Sequence, residues 1–138
     1  MAKPTRIVAV LAAAACLIAL PAQAEVTQQS TDGFSLRFQS TLDRSSADIW
    51  AALGEIGQWW EDGHSYSGDA SNMTIALTPG GCFCEALPGG GVQHGVVVMA
   101  WPERMLRLNA PLGPLQATGP AAVLTFSWQA VEGAEGPS

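Results

Sequence analysis

The 138-residue sequence predicts an α+β domain in which a short helical pair precedes a run of antiparallel strands. Three observations carry this. Phe34, Leu36 and Phe38 alternate with Ser35, Arg37 and Gln39 as in a strand with one apolar face; Ser45 and Asp48 form a helix-opening capping pair; and from Met73 onward apolar segments are punctuated by glycine and proline. Helices gathered in one stretch, with strands following one another, mark a segregated rather than an alternating parallel architecture.

The chain opens with Lys3 and Arg6, an apolar run from Ile7 to Leu20, and Pro21-Ala22-Gln23-Ala24. This pattern is that of a secretory signal peptide over residues 1–24, cleaved after Ala24. A membrane span needs ~20 apolar residues, so no stable membrane anchor is expected, and Cys16 lacks a lipoprotein box. The protein is expected in the periplasm or secreted. Cleavage removes Lys3, Arg6 and Cys16 and leaves twelve acidic against four basic residues, a net charge of −8. Nucleic acids and anionic membrane surfaces are poor partners for such a chain. The remaining length suits one domain with one core.

Residues 25–32 are polar and aperiodic, as expected of a flexible exposed leader, and the domain is expected over 33–131. Phe34 to Phe38 reads as a half-buried strand. The helix opened by Ser45 runs through Leu53, with Ile49, Leu53, Ile56 and Trp60 on one face. Gly54 and Gly57 weaken it, so two short helical pieces with a bend are expected. A polar loop, Glu61 to Ser71, follows Trp59-Trp60. Strands are then expected over Met73 to Thr78, Gly81 to Ala86, Val92 to Ala100, Arg104 to Asn109 and Ala121 to Val131, with Leu124, Phe126 and Trp128 facing inward. Residues 132–138 read as a tail.

The segment Gly80-Gly81-Cys82-Phe83-Cys84-Glu85, a Pro-Gly-Gly-Gly turn over 88–91 and His94 form a predicted hairpin. With a five-residue connection Cys84 lies opposite His94, and Cys82, Cys84 and His94 converge; a four-residue turn sends His94 to the other face. Two thiolates and an imidazole suit zinc or copper. Oxidation of the cysteines is a second reading, although Cα atoms two apart in an extended strand lie ~6.5–7 Å apart, the outer limit for a disulfide. Buried structural roles for all three are the third.

Ile49-Trp50-Ala51-Ala52-Leu53, Trp59-Trp60 ahead of His64-Ser65-Tyr66-Ser67-Gly68, the Cys82–Glu85 segment, His94, Trp101-Pro102 and Leu112-Gly113-Pro114-Leu115 together resemble the START, pollen-allergen and polyketide-cyclase superfamily (SRPBCC), nearest an exported branch related to chaperone-ATPase-activator domains. The resemblance implies a helix-grip fold, a curved antiparallel sheet around a long C-terminal helix with an apolar cavity between. After Val131 the sequence departs from that pattern, lacking the last strand and the helix, which is the expectation for a truncated product. The sheet face bearing Leu124, Phe126 and Trp128 would then be uncovered and open to self-association.

Within this comparison the 61–71 loop borders the cavity mouth, so His64 and Tyr66, with Trp59, Trp60 and His94, are the candidate contacts for a small apolar or amphipathic ligand. No cofactor is expected. Ser65 does not sit in a nucleophile elbow. The favoured function is an exported noncatalytic binding domain. An enzyme of the cyclase or hydrolase kind, with His94 paired to Glu55 or Glu61, and a metal or redox site at Cys82, Cys84 and His94 stand as alternatives.

Overall fold

The computed structural model describes residues 23–111, 113–119 and 122–131. The expectations for the signal peptide over 1–22, including Cys16, for Leu112 and for the tail 132–138 lie outside the described residues. The chain divides into two compact units, one up to Leu42 and one from Asp43 onward.

In the first unit β1 (Gln23–Gln29) pairs antiparallel with β2 (Phe34–Gln39), Ala24 facing Phe38 and Val26 facing Leu36. The leader expected over 25–32 is therefore corrected in its first part. The pairing needs only backbone donors and acceptors, which every residue except proline carries whatever its side-chain pattern. Phe34, Leu36 and Phe38 are also exposed rather than half-buried.

The second unit begins with α1 (Ser46–Gly54). Ser45 caps it: its hydroxyl accepts from the Asp48 amide while the Asp48 carboxylate accepts from the Ser45 amide. The chain bends at Glu55 and resumes as a single 3-10 turn, Ile56–Gln58, so the two helical pieces expected from the glycines are both present. Leu53 and Ile56 are buried on the shared face. Two further 3-10 turns, Asp62–His64 and Ala70–Asn72, lie in the polar loop.

Five strands then form one antiparallel sheet in chain order: β3 (Met73–Ile75), β4 (Cys82–Leu87), β5 (Gly90–Trp101), β6 (Met105–Asn109) and β7 (Val123–Ser127). A 3-10 segment, Gly113–Thr118, lies between β6 and β7. The protein is thus α+β, with a two-stranded and a five-stranded antiparallel sheet and, among the described residues, one α-helix. No helix among the described residues is long and apolar enough to cross a membrane.

The inner face of the large sheet carries the core. Met73, Phe83, Val97, Leu106 and Leu108 are buried together with Leu53, Ile56 and Ala110, and each large apolar side chain so buried contributes about 1.5–3 kcal/mol. Leu124, Phe126 and Trp128 pack at the margin of this cluster. The bare face expected there is corrected in part: Trp50 of α1 lies against Trp128, ring centroids 6.2 Å apart. An aromatic ring on a nine-residue helix supplies cover that the strand pattern alone does not reveal.

Candidate functional site

Alternation along β4 sorts its chemistry onto two faces. Phe83 and Glu85 are buried on the inner face, and Cys82 and Cys84 are half-buried on the outer one. The β4–β5 connection is a two-residue turn, Pro88-Gly89, with Leu87 facing Gly90. Gly89 has φ +75°, a conformation glycine adopts without strain, and proline before it presets the turn. Neither connection length expected from the sequence occurs, and of the five-residue register only the pairing of Cys82 with Val96, beyond the bulge, is present.

In the observed register Cys84 faces Gln93 and Cys82 faces Val96, while Phe83 faces Gly95. His94 is the extra residue of a β-bulge and turns inward, where it is buried. Gly95 makes this approach possible, since a Cβ there would come 2.8 Å from the Asn109 carbonyl oxygen. Cys82, Cys84 and His94 therefore do not converge. The two cysteines are joined to each other as a disulfide, their Cα atoms 5.4 Å apart, closer than in a fully extended strand. Among the described residues no group of three or more His, Cys, Asp and Glu side chains is placed to hold a metal ion.

His94 instead meets Glu85, Nε2 to Oε2 at 2.8 Å. The carboxylates expected beside His94 were Glu55 and Glu61; the partner is instead Glu85, which alternation along β4 puts on the inner face. The Glu85 carboxylate also accepts from the backbone amides of Tyr66 at 3.0 Å and Ser67 at 2.5 Å. Burial by itself pushes this carboxyl up; hydrogen bonding from Ser67, from the Tyr66 amide and from His94 outweighs it, and the pKa falls to about 2. An ionised carboxylate only accepts, so Nε2 of His94 donates to it. Nδ1 makes no hydrogen bond among the described residues.

The loop that Glu85 holds is braced from within. Asp62 accepts from the Ala70 amide, Ser65 donates to the Asp62 carbonyl, and Ser67 donates to the Asp69 carbonyl. Trp60 Nε1 donates to the His64 carbonyl at 3.2 Å, so the loop is fastened by an indole at its start and by a buried carboxylate further on.

Of the predicted ligand contacts, the structure brings four into one row. Trp59, Trp60, Phe83, His94 and Tyr66 follow one another with ring centroids 5.9, 5.4, 5.1 and 5.9 Å apart. Its two ends, Trp59 and Tyr66, are exposed by 45% and 51%, whereas Phe83 and His94 are buried. His64 does not join it; its side chain is exposed, and its backbone amide and carbonyl are bonded to the Glu61 carbonyl and the Trp60 indole. Glu55 binds Gln58 and is exposed, as is Glu61, so neither is the partner of His94.

Two open clefts lie elsewhere in this unit. One of about 330 Å³ is lined by Asn72, Thr74, Cys84, Glu85 and Gln93 among others. The other, about 410 Å³, runs along Gly54, Glu55, Gly57, Gln58 and Met73. Neither is lined by Trp59, Trp60, His64, Tyr66 or His94. Chemically, a carboxylate-oriented imidazole is the base half of a triad. Among the described residues no hydroxyl or thiol is bonded to it: Ser65 and Ser67 are engaged by carbonyls and the cysteines lie on the other face. Compared with protein-family models, curated proteins and solved structures, the chain matches none.

Proposed function

We propose that this protein is an exported, noncatalytic binding domain of the helix-grip type, which takes a small apolar or amphipathic molecule against the aromatic row. The observation that carries the reading is the row itself, rings in sequence from Trp59 to Tyr66 with solvent-facing ends and a buried ionised carboxylate behind its centre. Aromatic rings offer broad apolar contact with little entropy to lose. The carboxylate is already held by three donors, which suits a structural anchor rather than a group that cycles protons.

The amphipathic fluorophore 1-anilinonaphthalene-8-sulfonate tests this. A saturable one-to-one complex is expected, weakened about tenfold, or ~1.4 kcal/mol, in the double variant Trp59→Ala/Tyr66→Ala. Binding that fails to saturate, or that the double variant leaves unchanged, removes the reading.

A second reading, an enzyme of the cyclase or hydrolase kind, draws on the Glu85–His94 contact. It requires a neutral ring with Nδ1 as its lone pair, and nitrogen-15 NMR of His94 reads the tautomer directly. A ring protonated on Nδ1 at neutral pH would end it.

A further inference from the structure

The Cys82–Cys84 bond lies on the face of the sheet turned away from the aromatic row, and nothing in the binding reading uses it. We infer that it is a thiol–disulfide exchange site that oxidises an external dithiol. Four features of its surroundings carry this. Both cysteines belong to β4, which is already paired to β3 on one side and β5 on the other, so the bond joins no two parts of the fold that the ladder does not hold. It closes a loop of only two residues' separation, and the stabilisation a disulfide supplies grows with the length of the loop it closes. The sulfurs are on the half-buried outer face, and Cys84 lines the open cleft of about 330 Å³ together with Asn72, Thr74 and Gln93. Finally, Nε2 of Gln93 donates to Sγ of Cys82 at 3.7 Å, and the Gln93 carbonyl is itself held by Nε2 of Gln116 at 2.8 Å.

These contacts make the two sulfurs unequal. Cys84 is the one an incoming thiol reaches through the cleft, and Cys82 is the one with a donor for negative charge. A thiolate of the dithiol attacks Sγ of Cys84; the bond to Cys82 breaks, and its electron pair leaves on Cys82 Sγ, where the Gln93 amide stabilises the thiolate. The second thiolate of the same partner then attacks the partner's sulfur in the mixed disulfide and expels Cys84 as a thiolate. Two electrons pass to the cysteine pair, which takes up two protons from solvent, and the partner leaves as a disulfide. Rates of such exchange rise with access to the attacked sulfur and with stabilisation of the leaving thiolate.

The test uses the full chain, oxidised and folded, with dithiothreitol as the dithiol. Lys and Arg positions place Cys82 and Cys84 alone on one tryptic peptide, residues 45–104, so alkylation of that peptide reports the pair without interference from Cys16. Reduction is expected without denaturant, at least about tenfold faster than glutathione disulfide under the same conditions, with the circular dichroism spectrum of the fold retained. Gln93→Ala is expected to slow it several-fold. In Cys82→Ser, exposure to oxidised glutathione is expected to place the adduct on Cys84. Reduction that needs urea, or a rate no faster than glutathione disulfide, overturns the exchange site. So does a folded protein that keeps two free thiols in excess oxidised glutathione.

Discussion

The two faces of β4 differ in what their reactive groups are tied to. On the inner face Glu85 gathers a strand neighbour, His94, and two amides of a loop eighteen and nineteen residues away. On the outer face Cys82 and Cys84 are tied to each other, two residues apart on one strand. The first arrangement spends a buried charge to order distant backbone; the second joins what was already adjacent. Similar chemistry on two sides of one strand thus has opposite consequences for the fold, and this contrast can be tested by removing each side in turn.

The largest effect is expected from Glu85→Ala. It leaves an imidazole and two amides without their acceptor, and each buried donor left unsatisfied costs about 1–3 kcal/mol. Urea unfolding should show it, with faster hydrogen exchange at Tyr66 and Ser67. An unchanged midpoint would place the loop's anchorage elsewhere. Acid should act in the same direction. The carboxyl's folded pKa is depressed from 4.5 to about 2, so its contribution is fully present above the unfolded value and is lost as pH falls from about 4.5 towards 2. A stability profile in Glu85→Gln with the wild-type slope in that window would contradict this.

On the outer face the double variant Cys82→Ser/Cys84→Ser should cost only about 1.5 kcal/mol, the chain-entropy value for so short a loop. A loss comparable to that of Glu85→Ala would erase the distinction between the faces. The smallest effect is expected at Trp128, whose buried indole N–H has no hydrogen-bond partner among the described residues. Trp128→Phe removes an unsatisfied donor while keeping a ring against Trp50, so thermal unfolding should shift by less than about 1 kcal/mol in either direction. A large loss would reveal a partner for that N–H.

Local signals were readable wherever the physics is local. The Ser45–Asp48 capping box, the break at Gly54, and the strands around Cys82 to Ala86, His94 to Ala100 and Leu106 to Asn109 all stand close to where the sequence places them. Less legible was β1, because a polar segment with no side-chain period can still pair through its backbone. The strand expected to Thr78 stops at Ile75, where the chain turns back towards Cys82. At the site, the aromatic members were identifiable from the sequence, but the partner of His94 was not: Glu55 and Glu61 were expected, and the contact is made by Glu85, whose pairing depends on the register of the hairpin.

By itself the sequence determined the order of elements, the adjacency that sets Cys84 and Glu85 on opposite faces of a strand, and a composition suited to one small acidic domain. Only the tertiary structure decided which groups meet. A strand's period of two makes the partner of every side chain depend on a single residue of register. Here a Pro-Gly turn and one bulged residue chose that register, parting His94 from the cysteines and delivering it to a carboxylate.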